Sequence, residues 1–308
     1  MKVIYGIGKV EQKIRNAVLA IGVFDGLHIG HQKLIKAAVK KAVEIGGSAI
    51  VMTFSPHPVQ VLKPDQSLPF VVSLPHRLKL IERLGVMTCI VVHFTKRFSK
   101  LTPQRFVKRY LVNHIRPREV YVGGDFRFGR ERKGTIESFK EEGNKYGFRV
   151  NSVYPVNSGN KKVGSSHIRT LINKGQLKTA EHYLGRYVSV MGKVQRGSSR
   201  GKILGFPTAN IHPKNVVIPP IGVYAVHVII GNKKYNGMAN VGRRPSFYRS
   251  GSNFIVEAHI FDFQKKLYGK EIIIQFVKRI RSERAFGSKE KLIAQLKRDQ
   301  LTTKAILK

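Results

Sequence analysis

His28 and His31 stand three residues apart in Gly22-Val23-Phe24-Asp25-Gly26-Leu27-His28-Ile29-Gly30-His31. At the start of a helix that spacing turns both rings to the same side. Gly30 between them carries no side chain, so a ligand can come close to the backbone. A helix N-terminus adds unpaired N–H groups and a dipole that favours anions. Together these features make a cradle for a nucleotide phosphate. The two imidazoles are the candidate catalytic donors to charge that develops on a phosphorus in transit. Such chemistry needs no protein nucleophile, because positioning and electrostatics suffice.

Further along, Ser165 and Ser166 open a helical pattern, with Arg169 one turn later. Serines there can cap the helix and also meet a phosphate, and the arginine can clamp a departing pyrophosphate. A second constellation begins at Arg200-Gly201-Lys202-Ile203-Leu204-Gly205-Phe206-Pro207-Thr208-Ala209-Asn210. Gly201, Lys202 and Gly205 suit a loop that covers phosphates. Thr208 and Asn210 are two apart, so in a strand their side chains share a face. Their neutral oxygens can help hold a magnesium ion that takes most of its ligands from water and ATP phosphates. Glu257 shares a strand face with Ile255, His259 and Phe261, and a lone carboxylate so placed can act as a base toward a hydroxyl. Taken alone, a Thr-x-Asn pair is more often a turn or an exposed strand face, and a lone glutamate is more often an exposed strand residue.

The elements that position these residues follow two rhythms. Up to about residue 180, strand and helix signals alternate. Ala17 to Phe24, Ser48 to Phe54, Val86 to Phe94, Glu119 to Val122 and Phe148 to Tyr154 read as strands. Helical spacing appears at His31 to Ile45, Pro75 to Leu84, Pro103 to Val112, Ile136 to Tyr146 and Ser165 to Asn173. Repeated βα units predict a parallel sheet covered by helices, with ligands at the carboxyl ends of its strands. After about residue 184 the signals are strands alone: Tyr187 to Val194, Val223 to Ile230, Lys234 to Asn240, Phe254 to Phe261 and Ile272 to Ile280. That rhythm predicts an antiparallel barrel or sandwich. Lys289 to Arg298 closes the chain as an amphipathic helix. The predicted division is residues 1–183 and 184–308.

Bulk properties narrow the classes. No apolar run approaches the ~20 residues of a membrane-spanning helix, and the first residues lack a signal-peptide core. A single cysteine, Cys89, leaves no intramolecular disulfide. These features predict a soluble cytoplasmic protein. The formal net charge of +38 favours anionic partners such as nucleotides or nucleic acid. The charge is spread along the chain rather than gathered in a tail, and no element suited to reading bases is evident. Weak, sequence-independent nucleic-acid binding is the expectation.

Specific motifs add a resemblance. FDGLHIGHQ resembles the signature of the HxGH nucleotidyltransferases. Thr53-Phe-Ser-Pro56-His57-Pro58, Val122-Gly-Gly-Asp125-Phe126-Arg127-Phe-Gly129 and Val163-Gly-Ser165-Ser166-His-Ile168-Arg169 resemble the motifs of their prokaryotic FMN adenylyltransferase branch. Gly205-Phe206-Pro207-Thr208-Ala209-Asn210 resembles the riboflavin kinase signature. Gly222-Val-Tyr224, Asn240-Val-Gly-Arg243-Arg-Pro245-Ser246-Phe247 and Glu257-Ala-His-Ile-Phe-Asp262 continue that match. Ser246 stands where the family usually has Thr.

In order and extent, the chain resembles the prokaryotic bifunctional riboflavin kinase/FMN adenylyltransferase family. The resemblance implies an α/β plus all-β protein, in which a Rossmann-like nucleotidyltransferase domain precedes a six-stranded antiparallel β-barrel kinase domain with a C-terminal helix. It implies ATP and Mg2+ for both steps, with riboflavin, FMN and FAD as substrates and products. It implies nucleotide contacts at Gly22, Phe24, Asp25, Gly30, Ser165, Ser166, Arg169, Gly201, Lys202 and Gly205. Flavin contacts are implied at Pro56, His57, Asp125, Phe126, Arg127, Arg243 and Phe247. Metal ligation falls to Thr208 and Asn210, and Glu257 takes the proton from the ribityl 5′-hydroxyl. Two other readings stay open: a nucleic-acid-binding protein with a relic βα domain, and an adenylyltransferase acting on a different phosphomonoester.

Overall fold

A computed structural model describes residues 1–10, 14–66, 69–154, 157–158, 161–197, 200–243 and 254–308; at 157–158, 161–162, 200 and 202 it describes the backbone alone. The chain forms two compact units. One comprises residues 1–68 with 74–164, the other residues 69–73 with 165–308.

The first unit holds β1 (Lys2–Tyr5), β2 (Ala17–Ile21), α1 (Ile29–Glu44), β3 (Ser48–Ser55), α2 (Pro58–Leu62) and α3 (Leu74–Glu82). There follow β4 (Thr88–His93), α4 (Lys96–Ser99), α5 (Pro103–Phe106), which continues as a π-helical turn at Val107–Val112, and β5 (Glu119–Gly123). The unit ends with α6 (Ile136–Tyr146), β6 (Arg149–Val153) and a short hairpin of β7 (Asn157–Ser158) and β8 (Lys161–Lys162). Six strands form a parallel sheet in the order β1-β4-β3-β2-β5-β6. All five residues of β2 are buried, as a strand covered on both faces requires. The predicted alternation is therefore realised, with β1, α2, α4 and the β7–β8 hairpin as additions that were too short to read.

The order of strands decides where a ligand site can form. β2 has β3 on one side and β5 on the other. Connections leaving β2 therefore diverge, and a crevice opens at its carboxyl end. The loops after β2, β3 and β5 all reach that edge. These are the three loops in which the sequence motifs lie. Beneath them runs an aromatic core from Phe98 through Phe106 and Phe128 to Phe139 and Phe148, with neighbouring ring centroids 4.7 to 6.1 Å apart.

The second unit begins with α7 (Ser165–Asn173) and α8 (Leu177–Leu184). Next come β9 (Val188–Lys193), α9 (Arg200–Ile203), β10 (Ala209–Ile211), β11 (Gly222–Ile230), β12 (Lys233–Arg243), β13 (Phe254–Ile260), β14 (Glu271–Arg281) and α10 (Lys289–Ile306). The six strands form an antiparallel sheet in the order β10-β13-β12-β11-β14-β9. The sheet curls until its edges meet: Gln195 N donates to Asn210 O at 2.8 Å, just past the end of β9. Irregular pairing of β11 with β14 at Val223/Tyr224 and Ala225/Val226 supplies part of the curvature. At the seam, a side chain on Gly192 would lie 3.0 Å from Ile211 Cβ, so glycine lets the two edges close.

The closing helix runs eight residues beyond its expected end. Arg281 holds Asp299 through Nε and Nη2, at 3.0 and 2.8 Å to Oδ2, and Gln295 Nε2 donates to Asp299 Oδ1 at 2.7 Å. The buried face of the last turns is thus polar, which hid them from an apolar-periodicity reading. One helix that the sequence reading missed, α8, buries Leu177, Ala180, Tyr183 and Leu184 and packs on β9 and β14. Each large apolar side chain so buried contributes about 1.5–3 kcal/mol. A fragment starting at Ser165 is therefore expected to melt roughly 10 °C or more above one starting at Leu184. Equal melting temperatures in a thermal scan would mean that α7 and α8 add nothing to the barrel.

Candidate active sites

The loop after β2 is wound tightly enough to require its residue types. A side chain on Gly22 would lie 2.8 Å from the Phe24 ring. Phe24, Gly26 and Leu27 all have positive φ, 53°, 74° and 42°. Such backbone is costly for non-glycine residues and persists only where surrounding contacts hold it. The contacts are present. Phe24 and Asp25 are buried. Thr53 Oγ1 donates to Val23 O at 2.9 Å, and Gln32 Nε2 donates to Leu27 O at 2.9 Å. Arg77 of α3 donates to Val23 O through Nη1 and to Phe54 O through Nη2 at 3.2 Å. One guanidinium thus ties the loop after β2 to the end of β3.

The two histidines come together as their spacing predicts. Their rings stack at 3.6 Å between centroids and 20° between planes, and Phe24 meets His31 edge-on at 5.3 Å. His28 also caps α1: its Nδ1 accepts the His31 N–H at 3.4 Å. An Nδ1 that accepts places the proton of the neutral ring on Nε2. One edge of the imidazole thus holds the helix while the other is a donor. Gly30 is the second residue of α1 and is half-buried.

The loops after β3 and β5 flank this turn. His57 caps α2, with Nδ1 accepting from Val59 N at 3.0 Å and its own N–H donating to Gln60 Oε1 at 3.3 Å. Pro56 before it is half-buried. After β5, Phe126 N donates to Gly123 O at 2.9 Å, closing a turn. Asp125 and Arg127 are exposed there, while Phe126 stacks on Phe128 at 5.5 Å. Ser165 and Ser166 form the first turn of α7, in the second unit. Arg169 is buried there and donates from Nη1 to Ser166 Oγ at 3.3 Å.

In the barrel, three strands carry the second constellation across one face. Glu257 on β13 lies directly opposite Asn210 on β10 and Asn240 on β12. Direct partners project to the same side of a sheet, with Cβ atoms about 5 Å apart. Thr208 lies just before β10, two residues ahead of Asn210, and is half-buried. The glycine-rich loop packs against this pair. A side chain on Gly197 would overlap the Asn210 carboxamide, and one on Gly201 would lie 2.5 Å from Phe206 O and 3.4 Å from Thr208 Oγ1. Gly205 takes positive φ, 81°, as the loop turns into the strand. His259 Nδ1 lies 2.8 Å from Pro207 O and its ring meets Phe206 at 5.2 Å, which pins the loop to β13. Arg243 ends β12 with its guanidinium 5.3 Å above the Phe254 ring. Phe247 and the Lys202 side chain lie outside the described residues.

Residues 10–167 match the family model described as FAD synthetase, and residues 184–307 match the one described as riboflavin kinase. The bifunctional riboflavin kinase/FMN adenylyltransferase of Bacillus subtilis strain 168 is 36% identical over 94% of this chain and 92% of its own. The enzyme of the same name from Escherichia coli K12 is 35% identical over 99% and 97%. The chain belongs to the bifunctional riboflavin kinase/FMN adenylyltransferase family. A Buchnera aphidicola member is 34% identical over 98% of this chain and 96% of its own. A crystal structure of a macrolide-efflux protein from Streptococcus pneumoniae shares the fold over 99% of both chains, with TM-score 0.84 and 31% identity. Its name differs from those of the family members. Among the described residues here, no helix is long and apolar enough to cross a membrane.

Within this family member, Arg77 is the site residue that sequence reasoning missed. The signal was present: Leu74, Arg77, Leu78 and Ile81 follow helical spacing on one face, and Arg77 is the polar residue on it. It is 2% exposed. Burial pulls its guanidinium below the ordinary pKa, while the Asp25 carboxylate works against that shift. Arg77→Met is expected to leave the Val23 and Phe54 carbonyls without this donor and to remove a buried cation that interacts with Asp25. The expected cost is about 3–5 kcal/mol, read as a lowered unfolding midpoint in urea. A midpoint within error of the parent would remove Arg77 from the account of how the loop is held.

Proposed function

We infer that this chain makes both flavin cofactors: it phosphorylates riboflavin to FMN and adenylylates FMN to FAD. The supporting observation is family membership over nearly the full chain, with a model of each activity matched in turn. The residue assignments extend that reading.

In the barrel, Glu257 takes the proton of the ribityl 5′-hydroxyl as that oxygen bonds to the γ-phosphorus of ATP. The bond from that phosphorus to the bridging oxygen breaks, and ADP leaves. Gly201, Lys202 and Gly205 cover the phosphates, and Arg243 and Phe247 border the flavin. Thr208 and Asn210 are the residues that would hold Mg2+. The fit rests on Asn210 Oδ1, which is buried and has no hydrogen-bond partner among the described residues. A hard cation takes such neutral oxygens together with phosphate oxygens. Bound there, the ion would draw its remaining ligands from ATP phosphates and water. When bound, Mg2+ neutralises phosphate charge.

In the first unit, an FMN phosphate oxygen attacks the α-phosphorus of a second ATP, and pyrophosphate departs. His28 and His31 donate to the charge that builds on the phosphoryl oxygens, and the N-terminus of α1 favours the same charge. Gly22, Phe24, Asp25 and Gly30 shape the nucleotide cradle. Pro56, His57, Asp125, Phe126 and Arg127 receive FMN. The family resemblance also assigns phosphate contacts to Ser165, Ser166 and Arg169, at the start of α7. We place the work in the cytoplasm, with residues 1–183 as the adenylyltransferase and 184–308 as the kinase. The +38 charge adds weak, salt-sensitive attraction for nucleic acid without base discrimination.

The test is a time course of pure protein with riboflavin, ATP and Mg2+, with the flavins separated at intervals. FMN is expected first and FAD after it, and both are expected to stop on chelation of Mg2+. Absence of both products would overturn the reading.

A further inference from the structure

One buried polar group beside Glu257 is not used in the mechanism above. Asn240 Oδ1 is buried and has no hydrogen-bond partner among the described residues. The other end of the same carboxamide is engaged: Asn240 Nδ2 donates to Glu283 Oε1 at 3.2 Å. Glu283 lies two residues beyond the end of β14. A carboxylate can only accept, so Nδ2 must face Glu283 and Oδ1 must face away from it. The orientation of the amide is therefore chemically determined. Asn240 lies opposite Glu257 on one side, as Asn210 does on the other. A buried amide oxygen left unpaired is destabilising, and a ligand donor would offset that.

Building on the kinase reading above, we propose that Asn240 is a specificity-determining residue for the polyol chain of the substrate. Its Oδ1 accepts a hydrogen bond from one secondary hydroxyl of the ribityl group, and this seats the chain so that the terminal hydroxyl meets Glu257. Glu283 is a positioning residue that acts through Asn240. The division of labour follows from the two amide oxygens. The Asn210 carboxamide donates from Nδ2 to Thr208 O at 3.5 Å and packs against Gly197, so its Oδ1 is assigned to the cation and the nucleotide. Asn240 Oδ1 lies across Glu257 from that loop, on the side from which the acceptor must come. A site that hydrogen-bonds a substrate hydroxyl discriminates against the analogue lacking it, because the buried protein group is then left unpaired.

The test uses the full chain with riboflavin and its 2′-, 3′- and 4′-deoxy analogues, with kinase kcat and KM measured for each. The parent is expected to disfavour one analogue about tenfold in kcat/KM, the size of one neutral hydrogen bond. Asn240→Ala is expected to lose about tenfold on riboflavin, chiefly in KM, and to treat that analogue and riboflavin alike. Glu283→Ala should show part of the same loss, and Glu283→Gln, which keeps an acceptor, should restore the parent ratio. Far-UV circular dichroism and thermal melting of the full chain report on folding in every variant. Unchanged discrimination in a folded Asn240→Ala protein would overturn the proposal. So would a variant that needs more Mg2+ with its analogue ratios unaltered, since Asn240 would then serve the cation. If the parent does not phosphorylate riboflavin, the kinase reading itself fails, a result distinct from either of these.

Discussion

Replacing His28 and His31 together by alanine is expected to lower FAD formation by about four orders of magnitude while FMN formation continues at the parent rate. Each lost donor to transition-state charge costs about 10²–10³-fold, and the stacked rings, 3.6 Å apart, address one small volume. The geometry adds a confounding effect that the motif alone would not suggest. His28 caps α1, so its loss also removes about 1 kcal/mol of helix stabilisation. His28→Asn separates the two roles. Asparagine is a strong N-cap, so this variant should keep the parent melting temperature and still lose adenylylation. The measurement is FAD formed from supplied FMN and ATP, with riboflavin phosphorylation assayed in the same preparation. Normal FAD formation by the double variant would remove the histidines from the mechanism.

The mirror result is expected in the barrel. Glu257→Gln should slow riboflavin phosphorylation by about 10²–10⁴-fold, the range for loss of a general base, while supplied FMN is still adenylylated. Glutamine keeps the size and hydrogen-bonding capacity of the side chain between Asn210 and Asn240, so the row across β10, β13 and β12 should survive. Asn210→Ala should differ in kind. It removes a buried oxygen assigned to the cation, so part of its loss should be recovered by raising Mg2+, whereas none of the Glu257→Gln loss should be. A Glu257→Gln protein that phosphorylates riboflavin at the parent rate would place the base elsewhere. Full recovery of that variant by Mg2+ would assign Glu257 to the cation instead.

Local placement was legible in the chain itself. Histidines three apart before a helical period, a threonine and an asparagine two apart where a strand begins, and the change from alternating to strand-only periods each depend on neighbours in sequence. Such features survive without knowledge of the fold. Periodicity failed where burial was polar or long-range. The last turns of α10 are held by Asp299 and Thr303, which a hydrophobic pattern treats as solvent-facing. Arg77 reads as a surface cation until α3 is placed beneath the loops after β2 and β3, where two carbonyls need a donor.

The tertiary structure alone decided which distant segments share a site. The sheet order puts the carboxyl ends of β3, β2 and β5 side by side, although their loops are far apart in the chain. Register across the barrel brings Asn210, Glu257 and Asn240 into one row, and the meeting of the sheet edges at Gln195 and Asn210 closes the wall that carries it. Strand pairing is cooperative and non-local, and a slip of one residue would turn every side chain to the opposite face. Residue types and short spacings therefore specify the reactive groups, while hydrogen-bond register between strands determines which of them meet.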